Sequence, residues 1–321
     1  MSSDWVPEEF RKRLRWIPDL PYHLPLARLL VEALVPLGRP LEFKGNDQMD
    51  AYWVKHGDVR CKVYRPKTPK SDAVLLWVHG GGYILLETYL DDPICRRIVD
   101  ELGITVVSAE YRRAPKHPFP AALDDCHQTW CWLQEHAAEL DVDPRRALIA
   151  GESAGGGLTA ALAQRIHDEG GVQPLAQILF CPMLDDRTAL RDDLSQKSYY
   201  VWDNANNRGG WTCYIGQEPG AEKVPPYAVP ARRESLAGLP PAWVGVGTAD
   251  LFLEENEEYA NRLENSGVQA ELFVAKGGIH SFYTVIPGAE ISVAFWNSML
   301  DFARRALASP APVTGSPRDL T

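Results

Sequence analysis

The sequence predicts an α/β protein with a mostly parallel central sheet, helices on both faces and a helical cap. Three observations support this fold class. Short apolar runs occur along the chain, helical patterns lie between most of them, and 321 residues suffice for one large domain with an insert. Such alternation of strand and helix is typical of a parallel sheet that is covered on both faces.

The predicted strands are apolar and rich in residues that favour extended backbone. They cover Cys61 to Tyr64, Ala73 to His79, Thr105 to Ala109, Ala147 to Ala150, Ile178 to Cys181, Trp243 to Gly247 and Glu271 to Val274. Apolar residues at helical spacing predict the helices between them. These cover Asp91 to Leu102, Ala121 to Leu140, Ala154 to Glu169, Glu254 to Ser266 and Ile291 to Leu307.

Two segments interrupt this alternation, and we assign both to the cap. Residues 1–45 are amphipathic and broken by prolines, and residues 184–230 carry many aromatic residues without a clear strand. The predicted core therefore consists of residues 46–183 and 231–308, and the tail 309–321 is expected to be disordered. Such a cap would cover the carboxyl ends of the strands, where open α/β sheets bind ligands.

The composition disfavours several classes of function. The formal net charge is -10 and no run of basic residues occurs, so nucleic acid is not expected as a partner. Six cysteines without paired spacing indicate neither a disulfide framework nor a metal site, and they fit a reducing compartment. The amino terminus lacks an apolar signal core and the apolar stretch Leu24 to Leu37 is interrupted, so a cytoplasmic protein that does not bind a membrane is predicted.

A serine between two glycines is the first chemical signal. Gly151-Glu152-Ser153-Ala154-Gly155 follows a predicted strand and precedes a predicted helix. A sharp turn in that context presents the serine oxygen free of neighbouring side chains, as a nucleophile requires. The pattern G-x-S-x-G alone occurs by chance in about one in ten chains of this length, so a second motif is needed.

His79-Gly80-Gly81-Gly82 is that second motif, and it closes another apolar run. Consecutive glycines let backbone N–H groups point together at one oxygen, which is what an oxyanion hole needs. We expect Gly81 and Gly82 to donate. The third donor should be the N–H of Ala154, at the positive end of the helix that follows the serine.

The order of residues along the chain selects the base and the acid. In the α/β-hydrolase arrangement an acid and then a histidine follow the serine. Of eight histidines, His167 and His280 do so, and His167 lies on the helix that the serine turn begins, so His280 is the predicted base. Asp250 ends a strand thirty residues earlier and is the predicted acid, whereas Asp185 and Asp186 are the runner-up acids.

With these residues the chain resembles a known family over almost its whole length: the hormone-sensitive-lipase-like esterases, or bacterial family IV carboxylesterases, of the α/β-hydrolase fold. The resemblance implies Ser153, Asp250 and His280 as the triad, the same three oxyanion donors, and a cap made from the N-terminal segment and the insert after Pro182. The stretches that carry it are His79 to Tyr83, Tyr111 to Pro115, His117 to Ala122, Gly151 to Gly156 and Asp250 to Glu255.

Three residues depart from the pattern of that family. Arg113 stands where leucine is usual, Ser281 stands where a glycine usually follows the histidine, and Glu152 stands where an aspartate often precedes the nucleophile. None of them removes a catalytic group. The side chain of Glu152 should point away from the reacting centre of such a turn, so a supporting hydrogen bond is expected from it.

The predicted reaction is hydrolysis of a small uncharged ester through an acyl-enzyme, without a metal or an organic cofactor. Short to medium acyl chains are expected because no long exposed apolar lid is visible in the sequence, and the family resemblance implies the same. Amides, lactones and carbamates share the tetrahedral chemistry and stay open as substrates. Aromatic residues are expected to line the pocket: Tyr83, Tyr199, Trp202 and Phe282.

Two alternatives stay open at this point. The first is a ligand-binding protein on the same scaffold, as in the related plant gibberellin receptors. Those receptors lack the catalytic histidine, whereas His280 is present here. The second concerns assembly, since a homodimer paired through the apolar strand Glu271 to Val274 competes with a monomer.

Overall fold

Eight strands form one sheet within residues 6–14, 20–57, 59–197 and 199–309, which are the residues that the computed structural model describes. In chain order they are β1 (Met49–His56), β2 (Val59–Pro66), β3 (Val74–Val78), β4 (Thr105–Glu110), β5 (Ala147–Glu152), β6 (Ala176–Phe180), β7 (Ala242–Ala249) and β8 (Ala270–Ile279). Their order across the sheet is β1-β2-β4-β3-β5-β6-β7-β8. β2 pairs antiparallel with β1 and β4, and each neighbouring pair from β4 to β8 is parallel, so the predicted sheet is confirmed.

Strands at the centre of the sheet are buried on both faces. Every residue of β3 and of β5 is buried. In β3, Leu76 and Val78 belong to one apolar cluster, whereas Leu75 and Trp77 belong to another. This alternation follows from the two-residue period of a strand, and it places an apolar core on each face of the sheet.

The helices alternate with the parallel strands, as predicted. Four of the five predicted helices match the structure to within one residue at each end, and α4 ends five residues before the predicted end at Leu140. The described helices are α1 (Glu8–Leu14), α2 (Pro25–Leu34), α3 (Asp92–Leu102), α4 (Ala121–Glu135), α5 (Ala154–Glu169), α6 (Asp192–Ser195), α7 (Asn204–Ile215), α8 (Leu253–Asn265), α9 (Phe282–Val285) and α10 (Glu290–Ala308).

Strand β1 is absent from the prediction, and its sequence explains why. It lies at an edge of the sheet, where Met49 is its one fully buried residue and where Asp50, Lys55 and His56 are exposed. A strand with this pattern lacks the apolar run by which the other strands are recognised. Pairing with β2 determines its extended conformation.

The N-terminal segment and the insert after β6 contact each other. The backbone N–H of His23 donates to Asn206 Oδ1 at 2.9 Å, and Asn206 Nδ2 donates to the carbonyl of Leu20 at 3.2 Å. The ring of Tyr22 stacks on Trp202 with 6.2 Å between ring centroids. These contacts join the two segments that were assigned to the cap.

Helix α1 packs differently from the rest of the N-terminal segment. Phe10 and Leu14 are buried in the apolar cluster that includes Trp77 and Trp296 of the core. The predicted domain boundaries stay a prediction, and residues 310–321 of the predicted disordered tail lie outside the described residues.

Helix α2 presents an apolar face to solvent. None of its residues is buried, and Leu26 is 80% exposed, as is 89% of Leu41 in the 3-10 helix Val35–Leu41 that follows. In the described ranges no helix combines the length and the apolarity that crossing a membrane requires. The exposed leucines of this region are Leu24, Leu26, Leu29, Leu30, Leu34, Leu37 and Leu41.

Candidate active site

Ser153 occupies a sharp turn between β5 and α5. Its backbone has φ 55° and ψ -119°, a region that is costly for a residue other than glycine. Neighbouring loops hold this conformation, because the Ser153 N–H donates to the carbonyl of Phe180 at 2.8 Å and the Ser153 carbonyl accepts from Met183 at 2.9 Å. The serine side chain therefore stands at the carboxyl end of the sheet in a fixed orientation.

Glycine at position 155 permits the close approach of this turn to β3. A Cβ atom at Gly155 would lie 2.1 Å from the carbonyl oxygen of Val78 and 2.3 Å from that of His79. One at Gly151 would lie 2.4 Å from the carbonyl oxygen of Gly155. Both glycines of the G-x-S-x-G pattern are thus required by contacts with backbone atoms, which cannot move aside.

Ser153, His280 and Asp250 form a continuous chain of hydrogen bonds. His280 Nε2 lies 2.9 Å from Ser153 Oγ, and His280 Nδ1 lies 2.9 Å from Asp250 Oδ2. Asp250 follows β7 and accepts a further bond from the N–H of Phe252 at 3.0 Å, while His280 directly follows β8. The structure therefore brings together the three residues that the sequence predicted as the triad.

The environment of His280 favours its protonated form. Burial alone would lower the pKa of His280, but the carboxylate of Asp250, assisted by Cys181, raises that pKa well above its ordinary value. An imidazolium that is stabilised in this way is suited to hold a proton taken from Ser153. In the part of the chain that the structure describes, Cys181, Asp250 and His280 also have potential metal-ligating atoms within 4.8 Å of one another.

Hydrogen bonds accepted by the carbonyl groups of the glycine loop after β3 determine the direction of its N–H groups. His79 Nδ1 lies 2.8 Å from the carbonyl oxygen of Gly80, and the carbonyl of Gly81 accepts from Ile84 and Leu85 at 3.1 and 2.9 Å. The C=O and N–H of a trans peptide point in opposite directions. The N–H groups of Gly81 and Gly82 therefore point away from those partners.

Ala154 is the third predicted donor, and it begins α5 immediately after the serine. The first N–H groups of a helix have no partner within the helix. Gly81 and Gly82 line the same cavity as Ser153 and His280. All three predicted oxyanion donors thus come from the two loops that meet at Ser153.

The cavity beside Ser153 has a volume of about 570 Å³. Its wall is mainly apolar and includes one of the four predicted pocket residues, Trp202. It is lined by Tyr22, Gly80, Gly81, Gly82, Leu85, Leu86, Leu90, Asp91, Pro93, Ile94, Arg97, Glu152, Ser153, Val201, Trp202, His280, Ser281, Tyr283, Thr284, Pro287 and Trp296.

The other three predicted pocket residues lie outside this wall. Tyr83 is buried against Tyr214, with 3.9 Å between ring centroids, and its hydroxyl donates to the carbonyl of Met183 at 3.1 Å. Phe282 packs on Phe295 of α10 at 5.0 Å. Tyr199 is buried but does not line the cavity. Side-chain direction, which the sequence pattern does not reveal, separates these residues from Trp202.

Sequence reasoning missed several residues of the cavity wall. Asp91 and Arg97 lie at the start and middle of the α3 region, and Trp296 lies on α10. The carboxyl of Asp91 accepts from the indole N–H of Trp77 at 2.7 Å, and burial raises the pKa of Asp91 well above its ordinary value. The acidic pair Asp91-Asp92 before a proline was a visible helix-start signal, but nothing in its spacing indicated a pocket.

Comparison with known proteins extends these observations. A sequence profile of the alpha/beta hydrolase fold matches residues 75–284. Esterase LipI of Mycobacterium tuberculosis is 31% identical over 296 residues, which cover 90% of this chain and 86% of that protein. Carboxylesterase NlhH of the same organism is 32% identical over 237 residues, covering 72% of this chain and 74% of NlhH.

Among solved structures, a bacterial heroin esterase superimposes with a TM-score of 0.85 at 32% sequence identity, covering 95% of this chain and 99% of that one. An eight-stranded sheet with a serine turn after β5 defines the class of α/β hydrolases. This chain belongs to the α/β-hydrolase family, among its hormone-sensitive-lipase-like carboxylesterases. It is a serine esterase, as the sequence predicted.

Proposed function

We propose that Ser153, His280 and Asp250 are the catalytic triad of this esterase. The observation that carries the proposal is the chain of two 2.9 Å hydrogen bonds from Asp250 through His280 to Ser153. All three side chains are at least nine-tenths buried, which excludes bulk water from their contacts.

Acylation begins when His280 Nε2 takes the proton of Ser153 Oγ, which attacks the carbonyl carbon of the ester. The carbonyl oxygen becomes an oxyanion that accepts from the N–H groups of Gly81, Gly82 and Ala154. His280 then gives its proton to the leaving alcohol as the ester C–O bond breaks. Asp250 stabilises the imidazolium throughout this half of the reaction.

Deacylation repeats the same steps with water. His280 takes a proton from water, and the resulting hydroxide attacks the acyl carbon attached to Ser153. The bond between the acyl carbon and Ser153 Oγ breaks, and His280 returns its proton to the serine oxygen. The products are a carboxylic acid and the regenerated enzyme.

The substrates in this proposal are small uncharged esters with short to medium acyl chains. The cavity of about 570 Å³ and its apolar wall support this size and polarity. Exposed leucines on α2 give this region an apolar surface, so the expected acyl-chain length rests on the volume of the cavity. Amides, lactones and carbamates remain chemically compatible with the same groups.

Hydrolysis of p-nitrophenyl esters from acetate to palmitate, by the wild-type protein and by Ser153→Ala, tests both parts. We expect a maximum at short chains and a loss of roughly a millionfold in the variant. Retained activity in Ser153→Ala would overturn the triad, and faster hydrolysis of palmitate than of butyrate would overturn the chain-length preference. Binding of esters without turnover in the wild type would favour the ligand-binding alternative.

Assembly and location are part of the same proposal and need separate measurements. β8 is an edge strand on which Leu272 and Val274 are partly exposed, which supports pairing of two copies through it. Light scattering after size exclusion distinguishes a monomer of 35.8 kDa from a dimer of twice that mass. Fractionation of cells tests the predicted cytoplasmic location.

A further inference from the structure

Two residues that flank the catalytic side chains contact each other. Glu152 directly precedes Ser153, and Ser281 directly follows His280. The hydroxyl of Ser281 donates to Glu152 Oε1, so one hydrogen bond joins the serine turn to the histidine loop. Both residues are more than nine-tenths buried. These are also two of the three positions at which the chain departs from the family pattern.

The backbone of Ser281 adopts a conformation that is unusual for serine. With φ 53° and ψ 30° it lies in the left-handed region, which glycine adopts freely and serine does not. Its carbonyl accepts from the N–H of Thr284 at 2.9 Å and from Thr284 Oγ1 at 2.7 Å, which fixes the start of α9. The carbonyl of Ser281 is thus fixed by Thr284, while its hydroxyl donates to Glu152.

Glu152 is a buried carboxyl that needs such a partner. Burial raises the pKa of Glu152, and the hydroxyls of Ser281 and Tyr283 oppose that shift by donating to the carboxylate. The other titratable groups that face it are His280, Tyr283, Asp250 and Asp91. Because a buried carboxylate that loses a donor is costly, the contact with Ser281 constrains both loops.

We propose that Ser281 and Glu152 are positioning residues, and that their hydrogen bond holds His280 at hydrogen-bonding distance from Ser153. The bond connects residues 129 positions apart in the sequence and runs beside the 2.9 Å contact between His280 Nε2 and Ser153 Oγ. Both residues also line the cavity beside Ser153, so the separation of kcat from KM distinguishes an action through His280 from a contact with the substrate. This inference rests on the proposed triad.

Two substitutions at one position separate the hydroxyl from the backbone. Ser281→Gly removes the hydroxyl and relaxes the left-handed backbone, whereas Ser281→Ala removes the hydroxyl and keeps the backbone cost. We expect both to lower kcat by roughly 10- to 100-fold with KM within about twofold, because misplacement of a catalytic group affects the transition state most. The melting temperature of Ser281→Gly should be at or above that of Ser281→Ala.

Glu152→Gln is the conservative variant on the other side of the bond. Its amide oxygen still accepts from Ser281, so we expect a smaller loss of kcat than in Ser281→Gly. The double variant Ser281→Gly/Glu152→Gln should be no slower than Ser281→Gly alone, since the two residues form one contact. Ser292→Ala is the matched control, because Ser292 is a fully buried serine of α10 whose Oγ has no partner among the described residues.

Rates are measured with p-nitrophenyl butyrate and expressed per nucleophile titrated with a p-nitrophenyl phosphonate, which removes the effect of any misfolded fraction. A wild-type kcat in Ser281→Gly, or losses that multiply in the double variant, would overturn the proposal. Equal losses in Ser281→Gly and Ser292→Ala would also overturn it, as a general packing effect. Retained activity in Ser153→Ala would instead reject the proposed triad, so the two failures are distinguishable.

Discussion

The floor and the roof of the cavity beside Ser153 are held together by different kinds of contact. The floor consists of Ser153, His280 and Asp250, which are joined by directional hydrogen bonds. The roof consists of Tyr22, Val201 and Trp202, where the ring of Tyr22 on the N-terminal segment stacks on that of Trp202 on the insert. Directional bonds fix distances to a few tenths of an ångström, whereas ring stacking tolerates displacement. We therefore expect the floor to carry out the proposed reaction and the roof to select substrates by their shape.

Removing His280, the predicted general base, should produce the largest effect. We expect His280→Ala to lower kcat for p-nitrophenyl butyrate by roughly a millionfold, because the members of a triad act as one unit. Circular dichroism should remain that of the wild type. His167→Ala, at the other histidine after the serine, is the matched control and should keep full activity. A residual rate above one per cent in His280→Ala would break the assignment of the floor.

Asp250→Asn should have the next largest effect, a loss of about ten-thousandfold in kcat. Activity requires neutral His280, so it is lost as the pH falls through the pKa of that histidine. The carboxylate of Asp250 raises this pKa, and its removal should lower it. The acidic limb of kcat/KM should therefore move to lower pH in the variant. Asp185→Asn, at a runner-up acid, should change neither kcat nor the pH of the acidic limb of kcat/KM.

A substitution in the buried part of the insert after β6 should lower the stability of the protein. Trp211 is fully buried and packs on Tyr83 with 5.2 Å between ring centroids. We expect Trp211→Ala to lower the free energy of unfolding by about 3 to 5 kcal/mol through the cavity it leaves. Urea denaturation followed by fluorescence measures this loss. A loss below about 1 kcal/mol would show that the insert is packed more loosely than the structure indicates.

A change in the roof itself should alter specificity more than rate. A Cβ at Gly82 would lie 2.1 Å from Trp202 Cη2, so the indole lies directly on the glycine loop. Trp202→Ala should raise KM for p-nitrophenyl butyrate roughly tenfold, because apolar contact area is lost. It should also shift the preferred acyl chain to greater length. An unchanged chain-length profile would contradict a role of the roof in shaping substrate.

The smallest effect is expected on the exposed face of α2. Leu26 is 80% exposed, so Leu26→Ser should change the free energy of unfolding by no more than about 0.5 kcal/mol. The same denaturation experiment, beside Trp211→Ala, provides the comparison between a buried and an exposed part of the cap. A loss as large as that of Trp211→Ala would mean that this face is covered in solution.

The sequence located the floor better than it located the roof, and the reason is physical. The serine turn needs glycines at 151 and 155 because backbone atoms crowd them, and the order of residues along the chain then leaves His280 and Asp250 as partners. Such constraints are local and are written in the residue types. Strand β1 was missed because an exposed edge strand needs no apolar run.

Roof residues depend on the direction in which a side chain packs. Tyr83 and Phe282 are aromatic and close in sequence to catalytic positions, yet both turn into the core, while Trp202 lines the cavity. Aromatic type was the signal used, and it does not distinguish these cases. Arg97 and Trp296 reach the cavity from helices whose patterns indicate packing only. Tertiary contacts decide which of these residues face the cavity.

The bond between His23 and Asn206 has a consequence for the order in which the protein is assembled during translation. Its two residues are 183 positions apart, so the N-terminal segment leaves the ribosome long before its partner exists. The leucines of α2 are made before every strand of the sheet, so they are exposed to solvent or to chaperones while the sheet is being completed. The cavity wall includes residues that are made after Asn206, among them His280 and Trp296, so the cavity is complete only after α10 has been synthesised.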